Sequence, residues 1–422
     1  MKLLFKSFAV LLVVAGVFSA NAEVILVKNA KVYTQTSAGV LENADVLIED
    51  GLIRNIGEDL SADDARVINA EGKVVTPGIF ALMNQIGLVE VSAVEGTNDT
   101  TTESEDLGAS FSVDEVFNPE STLVPMNRSG GVTRTLIKPY NGNSLFAGLG
   151  SIMDLAGDYN SLIVSDVAVF AVYGEHASSM SGGSRAAALQ HFNRAFSQAK
   201  EFSENSAAIK SGAYRELDYS LGDLETLSQV LDQDIPLVVS VNRANDILAM
   251  VELAKKHNIK LVLEGAAEAW KVAEKLAKAE VPVIINPMDN IPSFESLGKR
   301  YDNAALLTKA GVDVMFSSET HNAQNVRYAA GNAVAYGMPY DQALAAMTSA
   351  PAKFFGGASN YGKLMPGFKA ELVIWSGDPL EVTTFAESII IDGKLTESDT
   401  RAKRLERRYK DISTDQNTFY RK

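Results

Sequence analysis

Bond-breaking chemistry near neutral pH draws first on histidine, carboxylates and thiols. This chain has four histidines, His176, His191, His257 and His321, and no cysteine. Disulfides, thiolate metal sites and a cysteine nucleophile are therefore excluded. None of the histidines belongs to a His-x-His pair. Glu319 and His321 stand two apart behind an apolar run, Val312 to Ser317. That spacing suits a carboxylate general base with an imidazole acid or orienter. Alternatively, His321 and Asn322 cap the helix that starts near Ala323. Glu175-His176 precedes Ser181-Gly182-Gly183-Ser184-Arg185 and a helical stretch from Ala186 to Phe202. The loop N–H groups and Arg185 could hold an anionic substrate group, or the loop simply caps the helix. Glu264 would point from a strand end into a pocket, unless a Lys or Arg across the fold satisfies it. Arg243 and Asp246 read equally well as site residues or as a structural pair. His191 lies mid-helix and His257 at a helix C-terminus, both as surface or packing groups.

These groups need elements to position them. The middle of the chain alternates between apolar strands and amphipathic helices. Strands read at Val132 to Lys138, Asp166 to Tyr173, Pro236 to Val241, Lys260 to Leu263, Val281 to Asn286 and Val312 to Ser317. Helices read at Glu120 to Ser129, Ala244 to Lys256, Glu268 to Ala279 and Asn303 to Ala310. Continuously apolar strands between helices predict a parallel sheet buried on both faces, most simply a (β/α)8 barrel. Both ends of the mature chain are instead β-rich, with Asp50-Gly51 and Asp392-Gly393 as hairpin turns. They predict one small β-sandwich built from both termini. Ser92 to Ser121 reads as a long acidic loop at the active end of the barrel. Residues 401–422 read as a solvated basic helix with a loose end.

The 422 residues are 46% hydrophobic and 22% charged, which suits a globular protein with a large core. A net charge of −15 argues against a nucleic-acid partner. Residues 1–22 differ in kind: Lys2 and Lys6, an apolar run from Phe8 to Val17, then Ala20-Asn21-Ala22. This predicts a signal peptide cleaved after Ala22 and a periplasmic protein. No later segment reads as a membrane span.

Several segments, taken in order, resemble the amidohydrolase superfamily, and within it the imidazolonepropionase-like, periplasmic branch. They are Asp50-Gly51-Leu52-Ile53, Val75-Thr76-Pro77-Gly78-Ile79, Gly131-Val132-Thr133, and His321-Asn322 with Asn325-Val326-Arg327. The last runs from Ala346-Met347-Thr348 through Pro351-Ala352 and Pro366-Gly367 to Ala370-Glu371-Leu372-Val373. The resemblance implies a sandwich in residues 23–76 and 363–400, a barrel in 77–362, and a basic tail in 401–422. It also implies hydrolysis of amide or cyclic amide C–N bonds by a bound divalent metal, usually zinc.

Here the chain departs from the family pattern. The His-x-His positions of barrel strand one match Met83 and Gln85. Strand five offers Ser240, strand six Gly265, and the strand-eight Asp matches Glu319. A thioether and neutral amides are poor ligands for a hard catalytic ion. We therefore expect no metal cofactor. Glu319 and His321 become the catalytic candidates. Met83, Gln85, His176, Arg185, Ser240 and Glu264 become the substrate-binding ones. Two readings stay open: a C–N hydrolase working on a small molecule by other means, and an inactive binding protein. Either could assemble with itself or with an active amidohydrolase paralogue.

Overall fold

The computed structural model describes residues 23–91, 94–104, 106–212, 217–318, 321–356, 360–397 and 399–410. The signal-peptide reading of residues 1–22, the candidate Glu319, and the end of the tail at 411–422 lie outside these.

The N-terminal strands are β1 (Ile25–Tyr33), β2 (Val40–Glu49), β3 (Leu52–Gly57), β4 (Arg66–Asn69) and β5 (Val74–Pro77). β2 and β3 turn at Asp50 (φ +52) and Gly51 (φ +76), the pair of left-handed residues that a two-residue hairpin needs. The barrel strands follow: β6 (Ile79–Asn84), β7 (Val132–Ile137), β8 (Phe146–Asp154), β9 (Leu162–Val172), β10 (Leu237–Val241), β11 (Leu261–Gly265), β12 (Val283–Ile285) and β13 (Val314–Phe316). The chain closes with β14 (Leu372–Trp375), β15 (Ala386–Ile391), β16 (Lys394–Leu395) and an exposed helix, Arg401–Lys410.

β5 pairs antiparallel with β14, so the two ends of the chain form one sheet, ordered β16-β15-β14-β5-β1-β2-β3 with β4 beside β1. The sheet also curls back on itself. Ile53 N–H donates to Phe368 O at 2.8 Å, and Gly367 N–H donates to Ile53 O at 2.8 Å. Ile25, Val27, Val46, Ile48, Val75, Leu372 and Ile390 fill the space it encloses. The composite β-unit predicted from both termini is therefore one continuous curled sheet.

The second sheet runs β6 to β13 in chain order, and a parallel bridge between Leu82 and Ser317 brings its two edges together. It is a nearly closed barrel of eight strands, but not the all-parallel one expected. β8 is antiparallel to both β7 and β9. The cause lies in the connections. Residues 138–145 and 155–161 are too short for a helical crossover, and carry turn residues at Asn141-Gly142-Asn143 and Ala156-Gly157-Asp158. β8 is also glycine-broken in sequence. Gly148 sits at φ +128 with Phe111 O only 2.2 Å from where a Cβ would stand, so no other residue fits.

Inward-facing side chains pack the barrel in layers. Leu82, Leu136, Phe170, Val238, Val262, Ile284 and Met315 form the apolar middle. Below them, Arg134 is fully buried. It bonds Glu371 through Nε at 2.9 Å and lies 4.4 Å over the Tyr361 ring. The helices Arg185–Lys210, Leu221–Leu231, Ala244–His257 and Val326–Ala335 cover the outside through a separate, larger core. Arg327, part of the Asn325-Val326-Arg327 motif, donates to the carbonyls of Pro379, Glu381 and Thr384. That motif is a clamp between the barrel and the returning chain.

Candidate active site

Successive residues of a strand face opposite sides, so every second one enters the barrel. In β7 the apolar Leu136 points inward, and Lys138, two residues on, follows it. The same count brings Ser240 above Val238, Glu264 above Val262, and Ser317 above Met315. The mouth at the C-terminal ends of the parallel strands is therefore polar above an apolar floor.

Lys138 is the centre of this layer. Its Nζ donates to both carboxylate oxygens of Glu264, at 2.8 and 2.7 Å. It also lies 5.5 Å from the Phe170 ring centroid and 5.1 Å from that of Tyr140, close enough for the ring faces to favour the cation. The side chains are 10% and 16% exposed. The sequence reading left Glu264 to be satisfied from across the fold, and Lys138 is that partner. Lys138 itself was missed as a site residue. Its signal was faint, because the strand before it carries a second charge, Arg134, and two threonines.

A cavity of ≈ 180 Å³ opens beside Glu264, lined by Ser240, Asn242, Asn286, Tyr301 and Ser317 among others. Larger clefts of ≈ 620 and ≈ 760 Å³ lie at the opposite end, around Val312 and Lys260 where strands begin. They lack such a convergence of polar groups on the barrel axis, so we place the site at the mouth.

The remaining candidates scatter. Met83 is buried among the barrel's apolar residues with φ +60. Gln85 donates its Nε2 to Thr100 Oγ1 at 3.1 Å. Gly265 has φ +78, and Asn242 Oδ1 is 2.9 Å from where its Cβ would stand. His176 is exposed on a short helix, Glu175–Met180. Arg185 bonds Asp246 at 3.1 Å and pairs with Glu295. Burial works against its charge, but the two carboxylates outweigh it and raise its pKa. Arg185 is thus taken up by protein carboxylates, which corrects its reading as an anion-binding group. The capping alternative fits its loop: Ser184 Oγ accepts from Ala187 N–H. Asp246 pairs with Arg185 rather than with Arg243. His321 is half-buried, and its carbonyl accepts from Asn127 Nδ2 at 2.9 Å. The short helix behind it, Ala323–Asn325, has no side-chain cap.

The model of the Amidohydrolase family matches residues 203–399. Amidohydrolase tasK of Hapsidospora irregularis is 27% identical over 388 residues, which is 83% of this chain and 39% of that protein. A dihydroorotase of Halalkalibacterium halodurans is 46% identical over 57 residues, 14% of this chain and 13% of that one. The chain thus spans well under half the length of either relative. Among solved structures, an amidohydrolase from Thermotoga maritima MSB8 superposes with a TM-score of 0.79 at 26% identity, covering 88% of this chain and 99% of that one. The barrel with its polar mouth, the composite sheet from both chain ends, and these matches make the chain similar in sequence and fold to amidohydrolases.

Proposed function

We propose that the protein hydrolyses a carbon–nitrogen bond of a small amide or cyclic amide at the barrel mouth, without a divalent metal. Similarity to amidohydrolases supports the reaction class. The observation that carries the rest is the Lys138 ammonium on the barrel axis, held by both oxygens of Glu264.

A catalytic metal needs several imidazole or anionic donors converging on one point. Among the described residues, no group of three or more His, Cys, Asp or Glu could hold a metal ion. Gly265 offers no side chain and no room for one. Gln85 is turned to Thr100, and Glu264 is already neutralised by an ammonium that would repel a second cation. These residues do not fit a divalent ion, and no step here runs through one.

Lys138 supplies what the chemistry still requires: a fixed positive charge where an amide carbonyl oxygen becomes anionic. Glu264 orients that charge and can accept a proton. The cavity admits the reacting head of a substrate, while the rest lies outside. We read residues 1–22 as a signal peptide and the protein as periplasmic; purified mature protein should begin at Glu23. Among the described residues no helix is long and apolar enough to cross a membrane.

The test is turnover of a panel of N-acyl and cyclic amides. Wild type should hydrolyse at least one class, and K138M should lose about 10²- to 10³-fold in kcat, the effect of removing one oxyanion partner. K138R, which keeps the charge, should recover part of it. Equal rates in wild type and K138M would remove Lys138 from the reaction.

A further inference from the structure

Strand register places one more reactive group against the ion pair. Ser240 of β10 and Glu264 of β11 are direct partners in the parallel ladder, both inward-facing and both lining the same cavity. β10 is hydrogen-bonded to β9 on one side and β11 on the other. Tyr173 N–H also donates to Ser240 O at 2.9 Å, so the Ser240 backbone is fixed from several directions. Its hydroxyl makes no hydrogen bond to another described residue, although the residue is only half-exposed. A rigid, partly buried and uncommitted hydroxyl next to the Glu264 carboxylate in the ladder has a base to turn to, as a serine nucleophile requires.

We infer that Ser240 is the nucleophile of a covalent acyl-enzyme step; this rests on the hydrolase reading above. Ser240 Oγ bonds to the acyl carbon while its proton passes to the Glu264 carboxylate. The carbonyl oxygen, now anionic, faces the Lys138 ammonium. Collapse breaks the C–N bond, and the proton held by Glu264 goes to the departing nitrogen. An Oγ ester and a free amine result. Water then attacks the ester by the same route, releases the acid and restores the hydroxyl. Bonds and protons balance without any further reactant.

The experiment treats the full-length mature protein with p-nitrophenyl acetate, quenches it in acid, and maps the acetyl group by peptide mass spectrometry. Amide turnover is measured in parallel for wild type and S240A. The expected result is one acetyl group on Ser240, suppressed by a good amide substrate. S240A should show no adduct there and an about 10³-fold lower kcat, with KM within about threefold of wild type. S240C should form a longer-lived thioester at the same position, which keeps the assignment testable if S240A fails to fold. Amide turnover with S240A at full rate, or with acetyl mapped only to Ser317 or Lys138, overturns Ser240 and leaves the hydrolase reading standing. No amide turnover in wild type and no adduct overturns both.

Discussion

Lys138 and Glu264 join opposite sides of the barrel. They extend from β7 and β11, four places apart in a ring of eight strands, and meet over the apolar interior at 2.7 and 2.8 Å. The pair is therefore a strut as well as a site. Removing one partner leaves the other charge largely buried and uncompensated. K138M and E264Q should each lower the free energy of unfolding by about 3–5 kcal/mol in urea titrations. The double variant K138M/E264Q should lose much less than the sum. Additive losses would mean the two groups do not depend on each other.

Asp154 carries a pH signature. Burial raises its carboxyl to about 6, against the pull of the Ala156 N–H and the Arg134 charge. The folded state therefore holds a proton that the unfolded chain releases near 3.8. Stability from this group is complete below about pH 4 and is lost as pH rises through about 6. D154N keeps an oxygen for the 2.9 Å bond from Ala156 N–H and cannot ionise. It should match wild type at pH 4 and be about 3 kcal/mol more stable at pH 8. Thermal melts at the two pH values decide this, and equal effects at both would exclude the carboxylate as the cause.

Gly265 should tolerate no side chain. Its left-handed backbone and the nearby Asn242 Oδ1 both oppose a Cβ. G265A should cost about 1–3 kcal/mol and reduce kcat, because the shift would move Asn242 and the end of β11 beside Glu264. A melt identical to wild type would show that this turn relaxes freely.

Arg185 should matter for stability and not for substrate. It links the helix Arg185–Lys210 to Asp246 and Glu295. R185M should lower stability by about 1–2 kcal/mol in urea titrations while leaving KM unchanged. A large rise in KM would restore Arg185 as a binding group.

Much of this architecture is legible in the sequence because burial writes itself as runs of apolar residues. Val283 to Ile285 and Val314 to Phe316 are strands for that reason. The strand β8 was not legible. Its glycines lower strand propensity, and they are there because Phe111 and Phe170 pass too close for side chains. Direction was lost with it, since only the short turns at 138–145 and 155–161 encode an antiparallel strand. The helix expected over Glu268 to Ala279 divides into Ala269–Val272 and Ala273–Lys278, a break that residue periodicity does not carry.

Site residues were legible where strand parity sufficed. Glu264, near the end of an apolar strand, and Ser240, singled out by the resemblance, both line the cavity at the mouth. Arg185 and Asp246 were misread in part because their pairing depends on Glu295, far along the chain. Lys138 was missed for a related reason: its role exists only once β7 and β11 face each other. Glu319, which the sequence makes a catalytic candidate, lies outside the described residues.

In the proposed reaction the Lys138 ammonium takes the role that a bound metal has in amidohydrolases. The most direct measurement combines elemental analysis of the purified, active protein with turnover in a strong chelator. Far less than one equivalent of zinc or any other divalent transition metal is expected, with kcat unchanged by chelation. One tightly bound equivalent, with activity lost on its removal and regained on its return, would contradict it.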